Sequence, residues 1–164
     1  MNREKLLDMI TLHEGLELKP YKCTSDKLTI GIGRNIQDIG ITEEEARYLL
    51  QNDLDRILKE VEHWSFLEKL DEVRQAVILD MVFNMGVSKF NANTWVKTFA
   101  AIQDEDWEKA ANEMLDSKWA KQVGQRAIRL SQMMRKGEWY ESWPYDDVEC
   151  YYNCGFRTIC MGIF

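Results

Sequence analysis

One short segment restricts the possible folds of this chain more than any other, because its apolar residues alternate with a period of two. Leu28, Ile30 and Ile32 alternate with threonine and glycine, and residues 24–27 before them have the composition of a turn. A strand that leaves such a turn pairs with the residues that precede it, here residues 21–23. The sequence therefore predicts a small antiparallel sheet near the N-terminus.

Helical periodicity lies on both sides of this sheet. A short helix is predicted over residues 2–12, with Gly15 as its left-handed C-terminal cap. A capping box at residues 42–45 opens a long amphipathic helix that runs to Val61. Residues 71–85 are apolar nearly all round, which is typical of a helix at the centre of a core. Further helices are predicted around residues 95–102, 104–114 and 125–136.

These elements predict one α+β domain of two lobes. A lobe with a small antiparallel sheet, about residues 13–41, is joined by the long helix, residues 42–64, to an all-helical C-terminal lobe. That lobe takes residues 65–140 together with the N-terminal helix. Residues 141–164 follow no clear period, and we expect their aromatic residues to pack on the helical lobe, with an interaction tail or a frayed end as alternatives.

Composition argues against several classes of function. The formal net charge of -7 argues against a nucleic-acid partner, because proteins that bind phosphates present a basic face. No apolar run approaches the roughly 20 residues of a bilayer span, and the charged N-terminus does not have the apolar core of a signal peptide. We therefore expect synthesis in the cytoplasm, no stable membrane association and a monomer.

The cysteines do not indicate a metal site. The four of them, Cys23, Cys150, Cys154 and Cys160, do not have zinc-ligand spacing. Free thiols are expected in a reducing compartment, although the last three are close enough in sequence to pair on oxidation. Neither a metal nor another cofactor is predicted.

Three polar residues around the predicted sheet could face one cleft. Glu14 lies at the junction of the first helix and the sheet, Cys23 precedes the turn, and Thr29 lies on the returning strand. Taken singly, each has a more ordinary explanation: a surface glutamate, a small half-buried cysteine and a β-branched strand residue. Their joint spacing is what indicates a site.

With this spacing the chain resembles the phage-type lysozymes, glycoside hydrolase family 24. Glu14, eight intervening residues, Cys23, five intervening residues and Thr29 are similar to the family's signature of Glu, Asp or Cys, and Thr. The resemblance runs over roughly residues 3–140. Other matching segments are His13–Gly15, Tyr21–Cys23, Thr29–Gly33, Met81–Gly86, Trp107–Ala111, and Arg126 with Arg129, Arg135, Gly137 and Trp139.

The resemblance implies hydrolysis of the β-1,4 bond between N-acetylmuramic acid and N-acetylglucosamine in bacterial peptidoglycan, in a cleft between the two lobes. Such a protein lyses a host cell or kills bacteria, and acts on the wall after release from the cytoplasm. Glu14 is the implied general acid, a role that suits a carboxyl kept protonated by partial burial. The short connection between Gly33 and Thr42 resembles that of compact members, which implies a more open groove.

The remaining site residues also come from the resemblance. Cys23 and Thr29 complete the implied catalytic set, and Arg126 matches an arginine that pairs with the catalytic glutamate in relatives. The implied saccharide-binding residues are Gly33, Asn35 and Phe83.

Cys23 leaves the catalytic route open. A thiol near its reference pKa of about 8.5 is a poorer general base at pH 7 than a carboxylate, unless a cation such as Lys22 or Lys27 lowers its pKa. General base, covalent nucleophile and spectator are three possible roles, and they give different stereochemistry at the anomeric carbon.

Two other functions are alternatives to the muramidase. A catalytically silent peptidoglycan-binding or helical interaction module would account for Cys23 and for an acidic charge that does not steer the protein towards an anionic wall. A lytic transglycosylase would cleave the same bond and leave an anhydro end instead of a reducing end.

Overall fold

A computed structural model describes residues 1–140 of the chain. In this part it has seven α-helices and a three-stranded antiparallel sheet, so the predicted α+β class is confirmed. The predicted tail, residues 141–164 with three of the cysteines, lies outside the described residues. No helix within residues 1–140 combines the length and apolarity that crossing a bilayer demands.

The chain divides into two compact units, unit 1 (Met1–Asn52) and unit 2 (Asp53–Phe164). The lobe boundaries drawn from the sequence stay a prediction. In chain order the elements are α1 (Arg3–Glu14), β1 (Glu17–Lys22), β2 (Leu28–Gly31), β3 (Arg34–Asn35), α2 (Glu43–Val61), a 3-10 turn (Leu67–Lys69), α3 (Glu72–Met85), α4 (Val96–Gln103), α5 (Trp107–Leu115), α6 (Lys118–Val123) and α7 (Gln125–Lys136).

Helix α1 ends at Glu14. Its N-cap is Asn2, whose side chain accepts a hydrogen bond from the Lys5 amide at 3.0 Å. Gly15 is the C-cap, and its amide donates to the Thr11 carbonyl at 2.9 Å. The backbone of Gly15 has φ +78° and ψ 176°, so the cap is not the left-handed helical one that the sequence predicts. The positive φ still favours glycine, and it turns the chain directly into β1.

The sheet has the order β1-β2-β3 with both pairs antiparallel. Thr29 is the central residue, because it lies opposite Tyr21 on one side and Asn35 on the other. Its side chain is buried, with 3% of its surface exposed, whereas Leu28 and Ile32 are exposed. The buried face of β2 is therefore the one that carries the threonine hydroxyl.

A network of polar contacts joins β3 to the start of α2. Glu45 accepts from the Thr42 amide at 2.7 Å, and the Thr42 hydroxyl accepts from the Glu45 amide at 3.2 Å. Arg34 donates to both carboxylate oxygens of Glu45 at 3.1 Å and to the Gly40 carbonyl at 3.0 and 3.2 Å. The predicted capping box thus also anchors the last strand of the sheet.

Unit 2 contains the hydrophobic core. Helix α3 buries Val77, Ile78 and Met81 completely, as its nearly continuous apolar sequence predicts. An aromatic cluster packs beside it, with neighbouring ring centroids 5.2–6.4 Å apart, and consists of Trp64, Phe66, Phe90, Trp95, Phe99 and Trp119.

Candidate active site

Glu14 is placed by two elements of unit 1. It is the last residue of α1, and its carboxyl lies against Gly33 in the turn between β2 and β3. A Cβ at Gly33 would be 3.3 Å from Glu14 Oε2, so only the bare glycine leaves this space open. A general acid is favoured by partial burial of its carboxyl, whereas Glu14 at the very end of its helix is exposed.

Cys23 and Thr29 are brought together by the β1-β2 hairpin. The amide of Cys23 and the hydroxyl of Thr29 both donate to the Lys27 carbonyl, each at 3.0 Å. The Asp26 amide donates to the Cys23 carbonyl at 2.8 Å, which closes the turn. The tight turn therefore holds Cys23, directly after β1, close to Thr29 on β2.

The turn also lowers the pKa of the Cys23 thiol. The largest cause is a hydrogen bond from the backbone of Lys27, followed by one from the backbone of Ser25 and one from the Thr29 hydroxyl. The ammonium groups of Lys22 and Lys27 instead bind Asp26 at 2.7 Å and Asp38 at 3.1 Å. Backbone amides, and not a lysine charge, thus favour the thiolate.

Asn35 lies beside Thr29 on the neighbouring strand β3. Its side-chain amide donates to Asp38 at 3.0 Å, and its side-chain oxygen accepts from the Asp38 amide at 3.1 Å. Hydrogen bonds from Asn35 and then Lys27 hold the pKa of Asp38 below its usual value. Asp38 therefore connects the loop after β3 to the turn that contains Lys27.

Arg126 and Phe83 belong to unit 2. Arg126 donates to Asp80 at 2.9 Å, and both side chains are about one-third exposed. Phe83 is half-buried and packs against the hydrophobic core. The structure thus gives Arg126 a carboxylate partner on α3, and its pairing with Glu14 stays a prediction.

Three contributions to the site cannot be found from the sequence pattern. The backbones of Ser25 and Lys27 lower the pKa of the Cys23 thiol, and Gly33 leaves room for the Glu14 carboxyl. The polar turn after Cys23 is a partial signal for the first two, because such turns direct amide groups towards the preceding side chain. Glu14 and Gly33 are far apart in the sequence of unit 1, so no local sequence pattern predicts that they lie close together.

The arrangement combines two kinds of reactive group in unit 1. Glu14 supplies a carboxyl that can donate or accept a proton, and the Cys23 thiol, bound by the Thr29 hydroxyl, can act as a base or a nucleophile. No cluster of three or more histidine, cysteine, aspartate or glutamate side chains suited to a metal occurs within residues 1–140.

Comparison with known proteins gives consistent matches. The family profile described as Phage lysozyme matches residues 11–138. Probable T4-type lysozyme 1 of Dictyostelium discoideum is 31% identical over 160 residues, which cover 79% of this chain and 93% of that protein. An endolysin from Acyrthosiphon pisum secondary endosymbiont phage 1 is 31% identical over 122 residues, covering 72% of this chain and 79% of the endolysin.

A third relative is much longer than this chain. The pre-baseplate central spike protein Gp5 of Enterobacteria phage T4 is 29% identical over 164 residues, which cover 80% of this chain but 28% of the spike protein.

Proposed function

The chain belongs to the phage lysozyme family, and we propose that it hydrolyses the β-1,4 bond between N-acetylmuramic acid and N-acetylglucosamine in bacterial peptidoglycan. Glu14 is the general acid of this proposal. The observation that carries it is the position of the Glu14 carboxyl, at the end of α1 and against the sheet that holds Cys23 and Thr29 in the family's spacing. Relatives named lysozyme and endolysin support the same activity.

The proposed reaction needs a proton donor and a second group that acts as a base or a nucleophile. Glu14 protonates the glycosidic oxygen as the bond from C1 of the muramic acid residue breaks, and positive charge develops on that sugar ring. The thiolate of Cys23 then either takes a proton from the attacking water or attacks C1 itself. In the second case the bond between C1 and Sγ is broken by a water molecule that Glu14, now ionised, deprotonates, and the thiolate is released. The first route inverts the anomeric configuration and the second retains it.

The lowered pKa of Cys23 supports a catalytic role over a spectator role. A thiol with a lowered pKa is ionised to a larger extent at neutral pH than an ordinary one, and the thiolate is the form that acts as base or nucleophile. Replacing Cys23 by Asp would restore the carboxylate that relatives often carry. We expect this variant to stay active and to invert the anomeric configuration.

The other proposed roles concern substrate binding, the oligomeric state of the protein and the place where it acts. Gly33, Asn35 and Phe83 contact the saccharide, and Arg126 contributes to the catalytic set while bound to Asp80. The protein acts on peptidoglycan as a monomer, without a cofactor, after release from the cytoplasm.

The proposal is tested by the clearing of purified peptidoglycan by the parent protein and its Glu14→Gln variant. We expect Glu14→Gln to lower the clearing rate at least about a hundredfold, because the amide cannot donate an acidic proton to the leaving oxygen. Glu17→Gln is the matched control, since it removes an exposed carboxylate three residues away in the same unit.

Circular dichroism must show that all three proteins are folded. A folded parent that binds the wall without clearing it would favour the silent binding module. Clearing that persists in Glu14→Gln would contradict the assignment of the proton donor.

A further inference from the structure

Gly33 lies next to the proposed proton donor, and its missing side chain leaves room for the Glu14 carboxyl. A Cβ at this position would lie 3.3 Å from Oε2, 3.8 Å from Cδ and 3.9 Å from Cβ of Glu14. The first of these distances is shorter than comfortable van der Waals contact, so any side chain larger than hydrogen would push on the carboxyl. The absence of a side chain at Gly33 therefore leaves the carboxyl free to occupy this position.

Within unit 1, the side chain of Glu14 has few other constraints. It is exposed at the last position of α1, and within residues 1–52 no hydrogen bond or ion pair holds its carboxylate. A glutamate side chain rotates about three bonds, so a carboxyl without partners samples many positions. A side chain at residue 33 would exclude some of those positions, and glycine leaves them open.

We propose that Gly33 is a positioning residue for the general acid, and that its bare backbone sets the position of the Glu14 carboxyl. This inference rests on the proposed glycosidase function and adds a role that differs from saccharide contact. A general acid must lie within hydrogen-bond distance of the oxygen that it protonates, about 2.6–3.2 Å. A methyl group at Gly33 would displace the carboxyl from that position, because the exposed side chain of Glu14 can yield more easily than the backbone.

The chain offers a matched control in Gly31. Its φ of +69° is close to the +73° of Gly33, so both positions lie in the range of φ that disfavours a side chain. A Cβ at Gly31, however, would meet nothing within 4 Å. Comparing the two alanine variants separates contact with Glu14 from backbone strain.

The test measures kcat and KM on soluble peptidoglycan fragments, and the thermal midpoint, for the parent, Gly33→Ala and Gly31→Ala. We expect similar midpoints for the two variants. We expect kcat of Gly33→Ala to fall about tenfold to a hundredfold below that of Gly31→Ala, because displacement by a fraction of an ångström misaligns the donor.

Several results would overturn the inference. Equal losses of kcat in the two variants would assign the effect to backbone strain, and a raised KM with unchanged kcat would assign Gly33 to saccharide binding alone. If either alanine variant does not fold, asparagine at the same two positions repeats the comparison, since asparagine tolerates positive φ. A folded parent that does not cleave the fragments would overturn the proposed function and, with it, this inference.

Discussion

Thr29 has one hydroxyl hydrogen and two acceptors within reach. The hydroxyl donates to the Lys27 carbonyl at 3.0 Å, and it also lowers the pKa of the Cys23 thiol through a hydrogen bond. When the thiol is ionised, its sulfur competes with the carbonyl for this hydrogen, since a charged acceptor forms the stronger bond. Thr29 thus links the structure of the turn to the ionisation of Cys23.

Removal of this hydroxyl makes the thiol less acidic. In a Thr29→Val variant the side chain keeps its shape but donates no hydrogen bond, so the pKa of Cys23 rises. We expect alkylation of Cys23 by iodoacetamide at pH 7 to slow by up to about tenfold, which is the effect of one hydrogen bond. Mass spectrometry of the Cys23 peptide separates this reaction from that of the other cysteines.

Thr24→Val is the control for the Thr29 variant, because Thr24 lies in the same turn and is not among the groups that lower the pKa of Cys23. Its alkylation rate should equal that of the parent. An unchanged rate in Thr29→Val would show that the backbone amides alone stabilise the thiolate.

The sequence, through its resemblance to the family, selects Glu14, Cys23 and Thr29 as candidate reactive residues, but it does not indicate how their surroundings change the acidity of these groups. The hydrogen bonds from the amides of Ser25 and Lys27 depend on the backbone angles of the turn, which residue types only restrict.

At the scale of elements, the capping box of α2 is a pH-dependent joint. Hydrogen bonds from Thr42 come first among the causes that lower the pKa of Glu45, and Arg34 adds to them. A carboxyl with a lowered folded-state pKa stabilises the fold above its unfolded-state pKa, and this contribution is lost as the pH falls through the folded-state value. The joint between β3 and α2 should therefore weaken in acid.

Neutralising Glu45 should reproduce this loss at neutral pH. We expect Glu45→Gln to have a lower thermal midpoint than the parent at pH 7. The difference should begin to shrink below the ordinary glutamate pKa of about 4.3 and disappear below the lowered folded-state pKa, where the parent carboxyl is protonated too. Glu44→Gln is the control, because Glu44 lies in the same helical turn but outside the capping box. A difference that stays constant from pH 7 to pH 3 would contradict the linkage.

The sequence predicts best the long helices that have a clear apolar periodicity. Helices α2, α3 and α7 have clear periodicity and recognisable ends, and they lie within a few residues of their predicted ranges. Helix α5 begins at Trp107, later than predicted, because the side chain of Asp106 accepts from the Lys109 amide and caps it. The six residues of α6 and the two of β3 are too short to establish a period.

At the scale of the whole molecule, the core of unit 2 depends on contacts between helices that are distant in sequence. Arg74 of α3 donates to the carbonyls of Met134 and Arg135 at the end of α7, at 2.8 and 3.1 Å. Its guanidinium also lies 4.2 Å from the ring centre of Trp107 on α5. The apolar pattern predicts that these helices pack together, but it does not predict that the guanidinium of Arg74 connects α3 to the end of α7 and to α5.

The central claim is that the whole protein is a hydrolase of peptidoglycan. A muramidase adds water across the bond and leaves a reducing N-acetylmuramic acid end, whereas a transglycosylase leaves an anhydro end without adding water. The most direct measurement is digestion of purified peptidoglycan in water enriched in oxygen-18, followed by immediate borohydride reduction and mass spectrometry of the fragments. As a control, a digest made in ordinary water is moved to labelled water after cleavage, which measures how much oxygen the new reducing ends exchange with the solvent.

We predict one labelled oxygen at each new end, found on the reduced muramic acid residue. Unlabelled anhydro ends would contradict hydrolysis and identify a transglycosylase, and intact strands in the presence of folded protein would contradict the enzyme altogether.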